Sequence, residues 1–137
     1  MTYKYKKPVL AGIALIFLAV YIAGDLNLYA YIGYLDKGFH LLGGVVIAWF
    51  FSIYLRKDLK PLSRFRQLLL VIACVSLMGV IWEFTEYLSE IYSPRYAPWL
   101  LHYFSIGNLR DTLGDLAFDL LGGVIFFMAF RMLPGRN

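Results

Sequence analysis

Charge is scarce in this 137-residue chain: Asp, Glu, Lys and Arg together make up 16% of it, against about 25% in an ordinary soluble domain. With 61% apolar and 18% aromatic residues, that shortage excludes a soluble globular protein. A single cysteine, Cys74, excludes an intrachain disulfide, and its place inside an apolar run makes it a packing residue. The net charge of +4 has neither a basic face nor a binding motif behind it, which excludes nucleic-acid recognition. No Ser or Cys stands beside a His in the arrangement that activates a nucleophile, which argues against covalent hydrolase chemistry.

Long apolar runs fill the space the charges leave. Residues 8–24, 38–55, 67–88 and 112–130 are each long enough to cross a hydrocarbon layer of about 30 Å, which takes ~20 helical residues. The sequence therefore predicts an all-α fold, an integral membrane four-helix bundle forming one transmembrane domain over 1–137. The first run follows Lys4, Lys6 and Lys7 as a signal peptide would, but its apolar core is long for that reading. With both termini in the cytoplasm, 10 of the 13 basic residues fall on the inner side, and only Lys37, Arg95 and Arg110 lie outside. The outer connections DLNLYAYIGYL (25–35) and PWLLHYFSI (98–106) are aromatic and poor in charge, as expected of segments in the headgroup layer.

An internal repeat joins two of the spans. DKGFHLLGGVV (36–46) matches DLAFDLLGGVI (115–125) at seven of eleven positions, pairing Asp36 with Asp115 and His40 with Asp119. The second and fourth spans then run in the same direction as equivalents, in two helical hairpins related by an axis along the membrane normal.

Ionisable residues inside spans are the informative ones, because a charge at membrane depth costs at least about 2.5–3.5 kcal/mol. Asp36 and His40 share a face of the second span, and Asp111, Asp115 and Asp119 form a ladder on the fourth. Ser76, Gly79, Glu83, Glu86 and Glu90 trace one stripe on the third. Topology puts these faces at one depth in the outer half, and the small residues beneath them, Gly43, Gly44, Gly79, Gly122 and Gly123, let backbones close in. Carboxylates gathered in a low dielectric must share protons, pair with His40, Lys37, Arg95 or Arg110, or bind a cation.

A cation is the simplest remedy, with Asp36, His40, Glu83, Glu86, Asp115 and Asp119 as candidate ligands and Mg, Mn, Fe or Zn as candidate ions. Glu86 or His40 is then the candidate general base, and Arg95, Arg110 and Asp111 the candidate substrate-binding residues, an arginine being suited to a phosphate group. Plainer roles stand beside these. Asp36 can cap its helix, Asn108 and Asp111 can serve as N-cap and first-turn charge of the last span, Arg95 and Arg110 can be anchors, and His102 an interfacial polar tip.

The order Asp-x-x-x-His opening one helix, Glu-x-x-Glu near the end of the next and RDTLGDLAFDLLGG opening the last resembles the VanZ-like group of small bacterial membrane proteins, especially the relatives of the inner membrane protein YjdF. The resemblance covers 36–123 and falls on Asp36, His40, Glu83, Glu86, Asp111, Asp115 and Asp119. Glu86 and Asp119 stand where VanZ-like proteins more often carry Gln and Asn, which sets the chain nearer to YjdF and away from glycopeptide resistance. It implies a bacterial inner membrane location and an architecture, not a reaction.

Three functions fit these features. One is a membrane protein with a cation-binding site in its outer half that acts on a lipid or lipid-linked phosphate, as a metal-dependent hydrolase or transferase if it is an enzyme. Another is a proton- or cation-coupled transporter or channel subunit, for which a homo-oligomer would supply the missing path through the apolar inner half. The last is a scaffold in which the polar network only specifies packing.

Overall fold

The structure, a computed structural model, describes residues 3–24, 26, 28–98 and 107–132. All regular structure among these is helical: α1 (Tyr3–Gly24), a 3-10 turn (Leu28–Ala30), α2 (Leu35–Tyr54), the short α3 (Arg56–Leu59), α4 (Arg64–Tyr96) and α5 (Leu109–Met132). Leu35–Tyr54, Arg64–Tyr96 and Leu109–Ala129 are long and apolar enough to cross a membrane. α1 has 22 residues, a length of about 33 Å at the helical rise. The chain is thus an all-α membrane protein. Its outward residues agree, for Leu10 and Phe17 on α1, Leu77 and Phe84 on α4 and Leu121 and Met128 on α5 are all exposed.

Lipid tails are as apolar as leucine, so association of these helices rests on close packing and buried polar contacts rather than on the hydrophobic effect. Glycine supplies the closeness. A Cβ on Gly44 would overlap the Asp119 carbonyl, and one on Gly122 would overlap the Leu41 carbonyl, so the α2 and α5 backbones touch. Contacts climb both helices together, from Lys37 with Asp111 to His40 with Asp119 and Leu41 with Gly122, which makes α2 and α5 parallel. α4 lies antiparallel across them, with Gly79 on Leu116 and Asp119, and Ile72 and Val75 on Gly123. α1 packs mainly on the side of α2, through Gly12 on Val46 and Tyr5 between Phe50 and Tyr54. The centre of the molecule is therefore α2, α4 and α5, with α1 attached to it.

Two elements differ from the sequence expectation. α4 continues to Tyr96, past the apolar run that stops near 88, because polar side chains such as Glu90 do not interrupt a helical backbone. Ala97 N–H still donates to Ser93 O at 2.9 Å beyond Pro94. The connection after α2 is not a plain loop either. It folds into α3, buries Leu59 against Ala48, Val71, Val75 and Phe127, and receives two hydrogen bonds from the buried Gln67 amide, to Leu59 O at 2.8 Å and Leu62 O at 2.9 Å. Leu59 O also accepts from Leu62 N–H at 3.0 Å, so the Gln67 amide reinforces this turn and ties it to α4. Most of 98–106, His102 included, lies outside the described residues.

The glycine contacts yield a graded expectation. Gly44→Ala and Gly122→Ala each force backbones apart and lower stability by about 1–3 kcal/mol or more, the usual range for overpacking. Gly38→Ala, inside α2 with open space around its Cβ position, leaves stability unchanged or raises it by up to about 1 kcal/mol, the helix-propensity gain. Thermal unfolding of the detergent-purified variants measures the three, and equal effects at all of them would refute the backbone contact.

Candidate functional site

Toward the starts of α2 and α5, opposite Glu83 and Glu86 in the second half of α4, the three helices bring their polar faces together. His40, Glu83, Asp115 and Asp119 are buried there, at 7%, 7%, 3% and 4% exposure. Asp36 and Glu86 are half-buried beside them, and Glu90 further along the stripe is exposed.

The imidazole of His40 organises the inner part of this cluster. Its Nδ1 lies 3.3 Å from Asp119 Oδ2, and it is the donor of that contact in the tautomer that carries the proton on Nδ1. These residues are 79 apart, the spacing of the two motif copies, so equivalent positions of the repeat face each other between the parallel helices. Gly79 makes room for the pair, since a Cβ there would sit 2.6 Å from Asp119 Oδ2. The other ring nitrogen, Nε2, faces Asp115 Oδ1 at 3.6 Å and Asp36 Oδ1 at 4.0 Å. One ligand atom from each of Asp36, His40 and Asp115 falls within 4.8 Å of the other two.

Lys37 closes the mouth of the cluster. Its Nζ donates to Asp111 Oδ1 and Asp115 Oδ1, both at 2.6 Å, and lies 3.3 Å from Asp111 O and 3.7 Å from Asp36 Oδ2. Above it opens a cleft of about 330 Å³ lined by Lys37, Gly107, Asn108, Arg110, Asp111 and Gly114. Asn108 caps α5, its Oδ1 accepting from Arg110 N at 2.9 Å and Asp111 N at 3.2 Å. Asp111 consequently does more than sit in a first turn, because its carboxylate holds Lys37.

The sequence-derived site residues thus separate. Asp36, His40 and Asp115 converge as a possible ligand set. Asp119 stands behind the imidazole, outside the group formed by Asp36, His40 and Asp115, because the close approach of α2 and α5 turns it onto Nδ1. Glu83 enters from α4 with Thr112 of α5 near its carboxyl, and its Oε1 is buried with no hydrogen-bond partner. Glu86 accepts from Trp82 Nε1 at 2.9 Å. Arg110 reaches the cleft, whereas Arg95 lies over the ring of its neighbour Tyr96 at 5.4 Å.

Sequence reasoning named Lys37 only as one of several counter-charges, and it missed Tyr29 and Trp82 altogether. The Tyr29 phenol is raised above its ordinary range, first by burial and then by the negative charge of Asp36, Glu86 and Asp115, so it remains a hydrogen-bond donor at the edge of the site. Its signal was the aromatic stretch before α2, where nothing distinguishes it from Tyr31 and Tyr34.

This chain belongs to the predicted membrane protein family DUF2238, whose family model matches residues 4–136. An uncharacterised protein of Thermotoga maritima is 32% identical over 108 residues, covering 78% of this chain and 53% of that protein. The chain thus spans about half the length of that relative. No solved structure matches it.

The central ion pairs give a measurable expectation. Lys37→Met leaves the buried Asp115 with only His40 Nε2 at 3.6 Å beside it and destabilises the protein by about 3 kcal/mol in the absence of divalent cations, the scale for breaking a buried pair from one side. Adding Asp115→Asn to that variant recovers most of the loss. Detergent unfolding of the double-mutant cycle checks this, and simple additivity of the two losses would count against the pairing.

Proposed function

We propose that this protein carries a divalent-cation centre in the outer half of a four-span membrane bundle with both termini cytoplasmic, and that the centre acts on a lipid or lipid-linked phosphate group. The observation that carries the reading is the orientation of His40. A ring that donates through Nδ1 to a carboxylate and offers Nε2 to two further carboxylates has the carboxylate–histidine–metal arrangement of protein metal sites. Two ligands about 2.1 Å from a shared ion stand about 3.4 Å apart in tetrahedral geometry; the histidine–carboxylate pairs at 3.6 and 4.0 Å lie near that spacing, and the three atoms, all within 4.8 Å of one another, would close by up to about 1.4 Å. One imidazole with two carboxylates favours Mn, Fe or Zn over Mg.

A bound ion there would supply Lewis acidity toward a phosphate ester. The chain's own residues fit the remaining roles. Arg110 in the cleft is placed to hold the phosphate, and Glu83, with its unpartnered Oε1, is placed to accept a proton. His40 does not serve as the base in this reading, because both ring nitrogens are engaged; Glu86 is restrained by Trp82. The apolar plug of Ala48, Val71, Val75 and Phe127 beneath the site favours local chemistry over a path through one protomer. The YjdF-like and VanZ-like kinship and the bacterial inner membrane are part of this proposal, and the family assignment supports its membrane character.

Elemental analysis of detergent-purified protein, reconstituted with Mn²⁺ or Zn²⁺ and then desalted, tests the centre. The wild type is expected to retain one ion per chain and a His40→Ala plus Asp115→Ala variant none. Asp119→Asn, which loosens the imidazole without removing a ligand, is expected to weaken binding about 10–100-fold. A folded wild type that retains no ion would sink the proposal.

A further inference from the structure

Asp115 Oδ1 is contested. Lys37 Nζ lies 2.6 Å from it, and His40 Nε2 faces the same oxygen at 3.6 Å. Asp36 is divided in the same way, with Oδ2 3.7 Å from Lys37 Nζ and Oδ1 4.0 Å from His40 Nε2. An ion that took up Asp36, His40 and Asp115 would have to draw Asp115 Oδ1 away from the ammonium, because one carboxylate oxygen does not serve two full positive charges at contact distance without strong repulsion between them.

The lysine has somewhere to go. Asp111 holds Nζ from the opposite side at 2.6 Å through its carboxylate and 3.3 Å through its carbonyl, and Asp111 is more exposed than Asp115, with side chains 44% and 4% accessible. The stem runs over Gly114, where a Cβ would stand 3.3 Å from Lys37 Cε, and the cleft opens directly beside it. A small movement of the flexible four-carbon stem therefore transfers the ammonium from the buried carboxylate to the exposed one. Without that ammonium, the buried oxygen would be an uncompensated charge at membrane depth.

Resting on the cation centre proposed above, we infer that Lys37 is a displaceable internal cation. It neutralises Asp115 while the ligand set is vacant of any divalent ion and moves onto Asp111 when one binds. Binding is then an exchange of one cation for another, and Lys37 sets both the affinity of the site and its preference for doubly charged ions. A lysine that only fastens α2 to α5 would have none of these effects.

The test is Mn²⁺ affinity and Mn²⁺-dependent thermal stabilisation of the full chain in detergent, for wild type, Lys37→Met, Arg110→Met and Asp111→Asn. Lys37→Met is expected to bind Mn²⁺ about tenfold tighter or more and to gain more thermal stability from it than the wild type does. Arg110→Met removes an equal charge from the same cleft without touching Asp115, and its affinity should stay within about twofold. Asp111→Asn, which keeps the lysine but takes away its alternative partner, should weaken binding and provides the reading if Lys37→Met does not fold. Unchanged or weaker binding in Lys37→Met, or an equal gain in Arg110→Met, overturns the exchange while leaving the cation centre standing. Folded proteins that bind no Mn²⁺ in any form overturn the centre itself, and the exchange with it.

Discussion

Everything in this molecule depends on how closely α2 and α5 approach. Gly44 against the Asp119 carbonyl and Gly122 against the Leu41 carbonyl bring two parallel backbones into contact. At that separation, side chains projecting from one helix meet the backbone or the polar groups of the other. A larger residue at either glycine would part the helices and with them His40 from Asp119, so the packing contact and the polar centre are one constraint. In lipid this matters more than in water, because no hydrophobic force would restore a loosened interface.

That constraint explains how the repeat becomes chemistry. When two copies of a motif lie side by side and parallel, equivalent positions face each other, and His40 faces Asp119 for that reason. Two identical carboxylates there would repel. A histidine in one copy opposite an aspartate in the other makes a complementary pair instead, and leaves the second ring nitrogen directed at Asp36 and Asp115. The asymmetry of an otherwise regular repeat is thus what distinguishes the two faces of the imidazole.

Much of this was legible in the sequence, for physical reasons that also mark the limits. The all-α membrane class followed from long apolar runs, and the stripe of Gly79, Glu83 and Glu86 followed from helical spacing, since both depend only on local order. The roles of Lys37 and Asp119 depend instead on register between helices far apart in sequence. A lysine at the start of a span reads as an interfacial anchor, and only the packing of α5 beside it brings its ammonium to Asp111 and Asp115. α3 and its Gln67 cap were invisible for a similar reason: a short turn is defined by the buried Leu59 and by an amide from the next helix, not by any periodicity of its own.

The balance of charge gives the centre its character. Asp36, Glu83, Glu86, Asp111, Asp115 and Asp119 gather around Lys37 and His40, and the structure divides them by partner. Asp111 and Asp115 take the ammonium, Asp119 takes the imidazole, Glu86 takes the Trp82 indole and Asp36 is shared between the ammonium at 3.7 Å and the imidazole at 4.0 Å, so the burden falls on the unpartnered oxygen of Glu83. A network built only to hold helices together would gain nothing by burying an acid with an open acceptor beside two more carboxylates, because each such group opposes folding in a low dielectric. An excess of acidic groups around a single ammonium and one imidazole is instead what the proposed site needs if its occupant is a cation that comes and goes.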